Sequence, residues 1–175
     1  MQEKESSFKK NYVWYALLEA VVFAMLLVLD LIVKHMTEQN ININESIPLI
    51  NGFIAITYTK NTGAAFSLLS NSFHFLLIVR LIMSIAMACF LVFYHRKLPM
   101  LLRISMCLIM AGAVGNLCDQ IRFGYVRDMF EFQFIKFAVF NVADISIIFG
   151  VIVLSLGMIT NKELLSDKKA KTNTE

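Results

Sequence analysis

Four aspartates lie in or beside long apolar runs: Asp30, Asp119, Asp128 and Asp144. Three asparagines, Asn61, Asn116 and Asn141, accompany them. Asn116 precedes Asp119 by the same interval as Asn141 precedes Asp144, and residues so spaced share one face of a helix. Two carboxylates gathered in a low-dielectric site cannot both ionise cheaply, and they come to share a proton near neutral pH. One can then activate water while the other protonates or hydrogen-bonds a substrate carbonyl, with no metal required. Asp144 paired with Asp128 is attractive, one fixed on a helix and the other on a connection able to close over it. Spacing alone leaves open which acids pair. Asp30 and Lys34 stand one helical turn apart with the acid first, which suits an ion pair and a structural role for Asp30.

The elements that must position these groups are membrane helices. The chain is 58% hydrophobic and 17% charged, with mean hydropathy +0.66, whereas soluble domains carry about 25% charged residues. Four stretches, 12–33, 73–94, 101–118 and 137–160, are each long enough to cross roughly 30 Å of hydrocarbon. The expected class is an all-α membrane protein of one domain, 1–175, with a small extracytoplasmic sheet lying on the membrane surface. Lys4, Lys9, Lys10, Arg96, Lys97, Arg103, Lys162, Lys168, Lys169 and Lys171 flank one side. Lys34, Lys60, Arg122, Arg127 and Lys136 flank the other. The bias places both termini in the cytoplasm and the connections 37–72 and 119–136 outside. In the first connection "FIAITYT" (Phe53 to Thr59) and "NININ" (Asn40 to Asn44) read as short strands, and "NTG" (Asn61 to Gly63) as a turn.

On this arrangement the aspartates and asparagines gather near the outer surface; Glu19, near the inner side, is the exception. Each alone could snorkel or join two helices. Ionisable residues within spans are costly and mark functional sites by default, and here a whole set converges.

Other chemistries have less support. Basic patches interleaved with aromatics are absent, which argues against nucleic acid. His35, His74 and His95 show no ligand spacing, so neither metal nor cofactor is expected. Ser67 lies outside any GxSxG pattern. Cys89, Cys107 and Cys118 read as free thiols, and the first apolar run as a retained helix. A proton-coupled transporter would more often put its acids at the midplane of broken or repeated helices. A non-catalytic assembly subunit would not need Asp128 and Asp144 together. Paired acids in this setting form the arrangement of an aspartic protease.

Three blocks, "NTGAAFS" (Asn61 to Ser67), "GNLCDQIRFGYVRDMFEF" (Gly115 to Phe132) and "FNVAD" (Phe140 to Asp144), resemble in order and spacing the signature of the lipoprotein signal peptidases, or signal peptidase II. The resemblance implies an inner-membrane aspartyl endopeptidase that cuts diacylglyceryl-modified prolipoproteins just before the lipidated Cys. It implies four transmembrane helices with a small extracytoplasmic β-cradle and a short periplasmic surface helix or loop. It implies a catalytic pair at Asp128 and Asp144, supported by Asn61, Asn116 and Asn141, with Asp30 as the acid of the first span. Gly63, Asp119 and Arg122 complete the candidate substrate-binding or supporting residues. Membrane lipids and globomycin-type inhibitors are implied as further partners, no cofactor is implied, and a monomer is expected. The sequence departs from the pattern at Gln120, where the family usually has Arg, at Ile145, where it has Ser or Thr, and at Arg127. Arg122 or Arg127 is expected to supply the cation that Gln120 does not.

Overall fold

The computed structural model describes residues 2–62 and 73–160. Along the chain run helix α1 (Gln2–Asn40), strands β1 (Ser46–Ile50) and β2 (Ile54–Asn61), helices α2 (Phe73–Tyr94) and α3 (Met100–Phe123), strand β3 (Val126–Phe132) and helix α4 (Val142–Thr160). All four helices are long and apolar enough to cross a membrane. Their exposed faces carry Trp14, Val28, Phe93 and Ile159, side chains that hydrocarbon, not a protein core, must cover.

Helix α3 is the axis of the bundle, packed on α1, α2 and α4. Close approach depends on small residues, as in other membrane helix pairs. A Cβ on Gly112 would collide with the Ala143 carbonyl of α4. One on Gly115 would come within 2.6 Å of Asp30 Oδ2 on α1. These two glycines therefore let α1 and α4 reach the stretch of α3 that carries Asn116. The helix ends at Gly124, whose φ of 80° suits glycine, and whose N–H donates to Gln120 O at 3.1 Å.

The sheet has the order β1-β2-β3, both pairs antiparallel. Thr59 faces Asp128 and Asn61 faces Val126 across β2 and β3, and the register slips between Ile56 and Thr59. β1 is exposed throughout, whereas Val126, Arg127, Asp128 and Met129 of β3 are all buried. β3 is thus covered on both faces, with α1 and α3 packed against it. After β3 the chain doubles back and Phe140 exchanges backbone hydrogen bonds with Phe130, at 3.0 and 2.8 Å.

Several boundaries differ from those the sequence suggests. α1 continues to Asn40 instead of stopping at 33, because its apolar run passes directly into a polar but still helical stretch. "NININ" is accordingly no strand: its first residue ends α1, and Asn44 takes φ 64° in the turn before β1. β2 overlaps "FIAITYT". α3 extends past 118 and takes Asp119 into the helix. The rest of the connection 119–136 holds a strand, so Asp128 sits on a sheet and not on a closing loop. α4 begins at Val142, not 137, since Phe140 is held in extended pairing with β3. Gly63 and Ser67 lie outside the described residues, and no separate surface helix occurs among the described ones.

Candidate active site

The four aspartates do converge, and their partners divide them into two kinds. Asp30 meets Lys34 Nζ at 2.7 Å. Its other oxygen accepts the Ala143 N–H at 2.8 Å, satisfying a donor in the first turn of α4. Asp119 receives the Arg127 backbone N–H at 2.9 Å, Nε at 3.2 Å and Nη2 at 2.7 Å. Both acids are buried, and each is neutralised by a cation. They tie α1 to α4 and α3 to β3.

Asp128 and Asp144 are held differently, by neutral amides. Asp128 Oδ2 accepts from Asn61 Nδ2 at 2.8 Å, and Oδ1 from Asn141 Nδ2 at 2.7 Å. Asp144 Oδ1 accepts from Asn116 Nδ2 at 2.8 Å. At the start of α4, Asn141 Oδ1 accepts the Asp144 N–H at 2.8 Å while Asp144 Oδ2 accepts the Asn141 N–H at 3.2 Å. This reciprocal cap fixes the carboxylate in the first helical turn, a favourable place for negative charge. Asn141 therefore bonds both acids, with its side chain to one and its backbone to the other.

Behind these amides lies one cation. Lys34 Nζ donates to Asn116 Oδ1 at 3.0 Å and lies 3.5 Å from Asp119 Oδ2. Asn141 Nδ2 also reaches Asn116 Oδ1, at 3.0 Å. With its oxygen engaged, the Asn116 amide can only turn its Nδ2 toward Asp144. Asp128 is 1% exposed. Burial pushes its carboxyl up to about 7 against the opposing hydrogen bond from Asn61, with the Asp144 charge adding and the Asn141 bond opposing. A buried acid that keeps its proton near neutrality, next to a second acid, can donate a hydrogen bond while its neighbour takes a proton from water. Among the described residues no group of His, Cys, Asp and Glu is arranged to hold a metal ion.

Asn61, Asn116, Asn141, Asp119, Asp30 and both candidate catalytic acids thus form one connected network. Arg122 does not join it: the residue is exposed at the end of α3, with its guanidinium over the Phe123 ring at 5.1 Å. Arg127 is the cation that reaches Asp119, and it also binds Glu38 Oε2 at 2.7 Å. Sequence reading paired Lys34 with Asp30 but missed its reach to Asn116, and it missed Glu38. The signal was the run Asp30, Lys34, Glu38, one turn apart on a single face, visible once α1 is continued past 33.

The family model described as signal peptidase (SPase) II matches residues 22–160. The lipoprotein signal peptidase of Enterococcus faecalis is 35% identical over 153 residues, covering 87% of this chain and 94% of that protein. That of Moorella thermoacetica is 41% identical over 133 residues, covering 74% and 85%. Two solved structures described as bacterial membrane enzymes superpose with a TM-score of 0.74. They are 26% and 27% identical, cover 82% of this chain, and are themselves covered to 88% and 93%.

Proposed function

This chain belongs to the signal peptidase II family of multi-pass bacterial membrane proteases, and from that premise we propose that it is an aspartic endopeptidase acting on diacylglyceryl-modified prolipoproteins. The observation that carries the aspartic assignment is the double hold of Asn141 on Asp128 and Asp144. In the resting site Asp128 keeps the proton, as its burial favours. Asp144 takes a proton from the attacking water, while the Asp128 hydroxyl hydrogen-bonds the scissile carbonyl as negative charge develops on its oxygen. Collapse of the tetrahedral intermediate releases the signal peptide, with a proton delivered to the leaving amine.

The bond cut is the one before the lipidated Cys, and the acids lie at the outer membrane face with both termini cytoplasmic. This topology puts the dyad at the depth where a diacylglyceryl anchor holds its Cys. An apolar groove of about 310 Å³ between α4 and the end of β3, lined by phenylalanines that include Phe132 and Phe140 and by Ile145, Ile148 and Ile152, suits an acyl chain. Ile145, at a position where a hydroxyl residue was expected, forms part of that wall. The family match leaves the transporter and assembly-subunit readings without support.

The test is incubation of the purified protein with one precursor in two forms, with and without the diacylglyceryl group. The shortened product is expected from the lipidated form alone. Equal cleavage of both forms would overturn the substrate assignment.

A further inference from the structure

Arg80 is a guanidinium placed inside the apolar helix α2 and half-buried there. Among the described residues it meets no carboxylate; its Nη1 donates to Gln120 Oε1 at 2.8 Å. A charge within a span is costly, and such residues carry partners or functions. A guanidinium has several N–H donors and no acceptor, and one glutamine oxygen leaves most of them free for other acceptors.

The place of Gln120 gives this a meaning. It is buried and stands about one turn beyond Asn116 on the same face of α3, about 6 Å along the axis. Asn116 is the residue whose amide bonds Asp144. Arg80 is therefore tethered, at the seam between α2 and α3, to the residue one turn from the asparagine that bonds Asp144. Of the other cations toward this end, Lys34 is engaged with Asp30 and Arg127 with Asp119 and Glu38, while Arg122 and Lys60 lie over the Phe123 and Tyr125 rings.

We infer that Arg80 is a substrate-binding residue whose remaining donors take carbonyl oxygens of the bound precursor, an inference that rests on the lipoprotein signal peptidase reading of the site. Those oxygens belong either to the peptide beside the scissile bond or to the two acyl esters of the lipid. A planar fork of donors anchored at one corner can accept oxygens from more than one direction, which an ammonium does less well.

The experiment measures kcat and KM on the lipidated precursor for the wild type, Arg80→Gln, Arg80→Lys and the exchange Arg80→Gln with Gln120→Arg. A Gln–Gln pair can still bond α2 to α3, and the exchange returns a guanidinium to the same contact from the other helix. Arg80→Gln is expected to raise KM by about tenfold to a hundredfold, the range of a lost charge-assisted hydrogen bond, with kcat changed less than about threefold. Arg80→Lys recovers part of the loss, and the exchange recovers most of it. A precursor with ether-linked chains, which lack the ester carbonyls, separates the two sources. If the KM penalty disappears on it, the esters are the partner; if it persists, the peptide is. A wild-type KM in Arg80→Gln overturns the proposal. So does a fall in kcat and thermal midpoint that the exchange fails to repair, which would make Arg80 a strut. If the wild type leaves the precursor intact, the reading of the site fails first and the proposal with it.

Discussion

At the end of the bundle away from the dyad, Glu19 lies 2.6 Å from His95 Nε2 and 3.2 Å from Arg103 Nε. Arg103 Nη1 also donates to the His95 backbone oxygen at 3.4 Å. At the other end, about 20 Å along α3 from Arg103 at 1.5 Å per residue, Asp128 and Asp144 face each other across amides. Both clusters bury ionisable groups within an apolar bundle. The first sets an acid against basic partners, which offsets the cost of desolvation and ties α1 to the turn between α2 and α3. The second brings together two acids and, among the described residues, gives them no cation of their own. Lys34 and Arg127 stand one layer back, on Asp30 and Asp119. Compensated charge holds the scaffold, whereas on the proposed reading uncompensated like charge keeps a proton available for chemistry.

The strongest way to break this comparison is to substitute at each end. Asp128→Asn and Asp144→Asn should each lower cleavage by about a thousandfold or more, since neither amide can replace the shared proton or the base. Near-normal cleavage by either variant, in a rate assay at matched folded protein, would remove that residue from the chemistry.

Asn141→Ala sharpens the same contrast with a smaller effect. It removes the bond to Asp128 and the cap on Asp144, and the rate should fall by about tenfold to a hundredfold. On the proposed reading Asn141 positions the two acids, and its bond lowers the Asp128 pKa. The alkaline limb of the rate profile should therefore move to higher pH in Asn141→Ala, a shift that simple loosening of the fold would not produce.

Glu19→Gln should leave cleavage within about twofold. It strips the negative charge from a buried cluster, and breaking such a pair costs on the order of 3 kcal/mol, so the thermal midpoint should drop. Loss of activity in this variant at a temperature where it is folded would mean that the two ends are coupled.

Much of this was legible in the sequence because membrane spans and motif blocks are local signals. α2 occupies the predicted 73–94, and the three blocks bring the dyad and its asparagines together. β3 was not legible. Its residues Arg127 and Asp128 are buried charges, so the alternation that betrays a half-exposed strand is missing. "NININ" failed in the opposite sense, since an alternating pattern only means a strand if the helix before it has stopped. The start of α4 carried a usable signal: Asn141 and Asp144 are spaced as a cap and its reciprocal partner. The Arg80–Gln120 contact joins residues of two helices, and no local pattern predicts it.

The central claim is that Asp128 and Asp144 work as a pair with one proton, and the pH dependence of kcat/KM on lipidated precursor tests it most directly, because that ratio reports groups of the free enzyme. Burial holds the Asp128 carboxyl up to about 7, above the ordinary value of 3.8. Its proton is therefore present below about pH 7 and lost as the pH rises through that value. The account predicts a rate that falls about tenfold per unit above that pH, as expected when an essential acid ionises. A rate that climbs through pH 7 and levels off above it would contradict the account, because it would mean that the group titrating there must lose its proton to act.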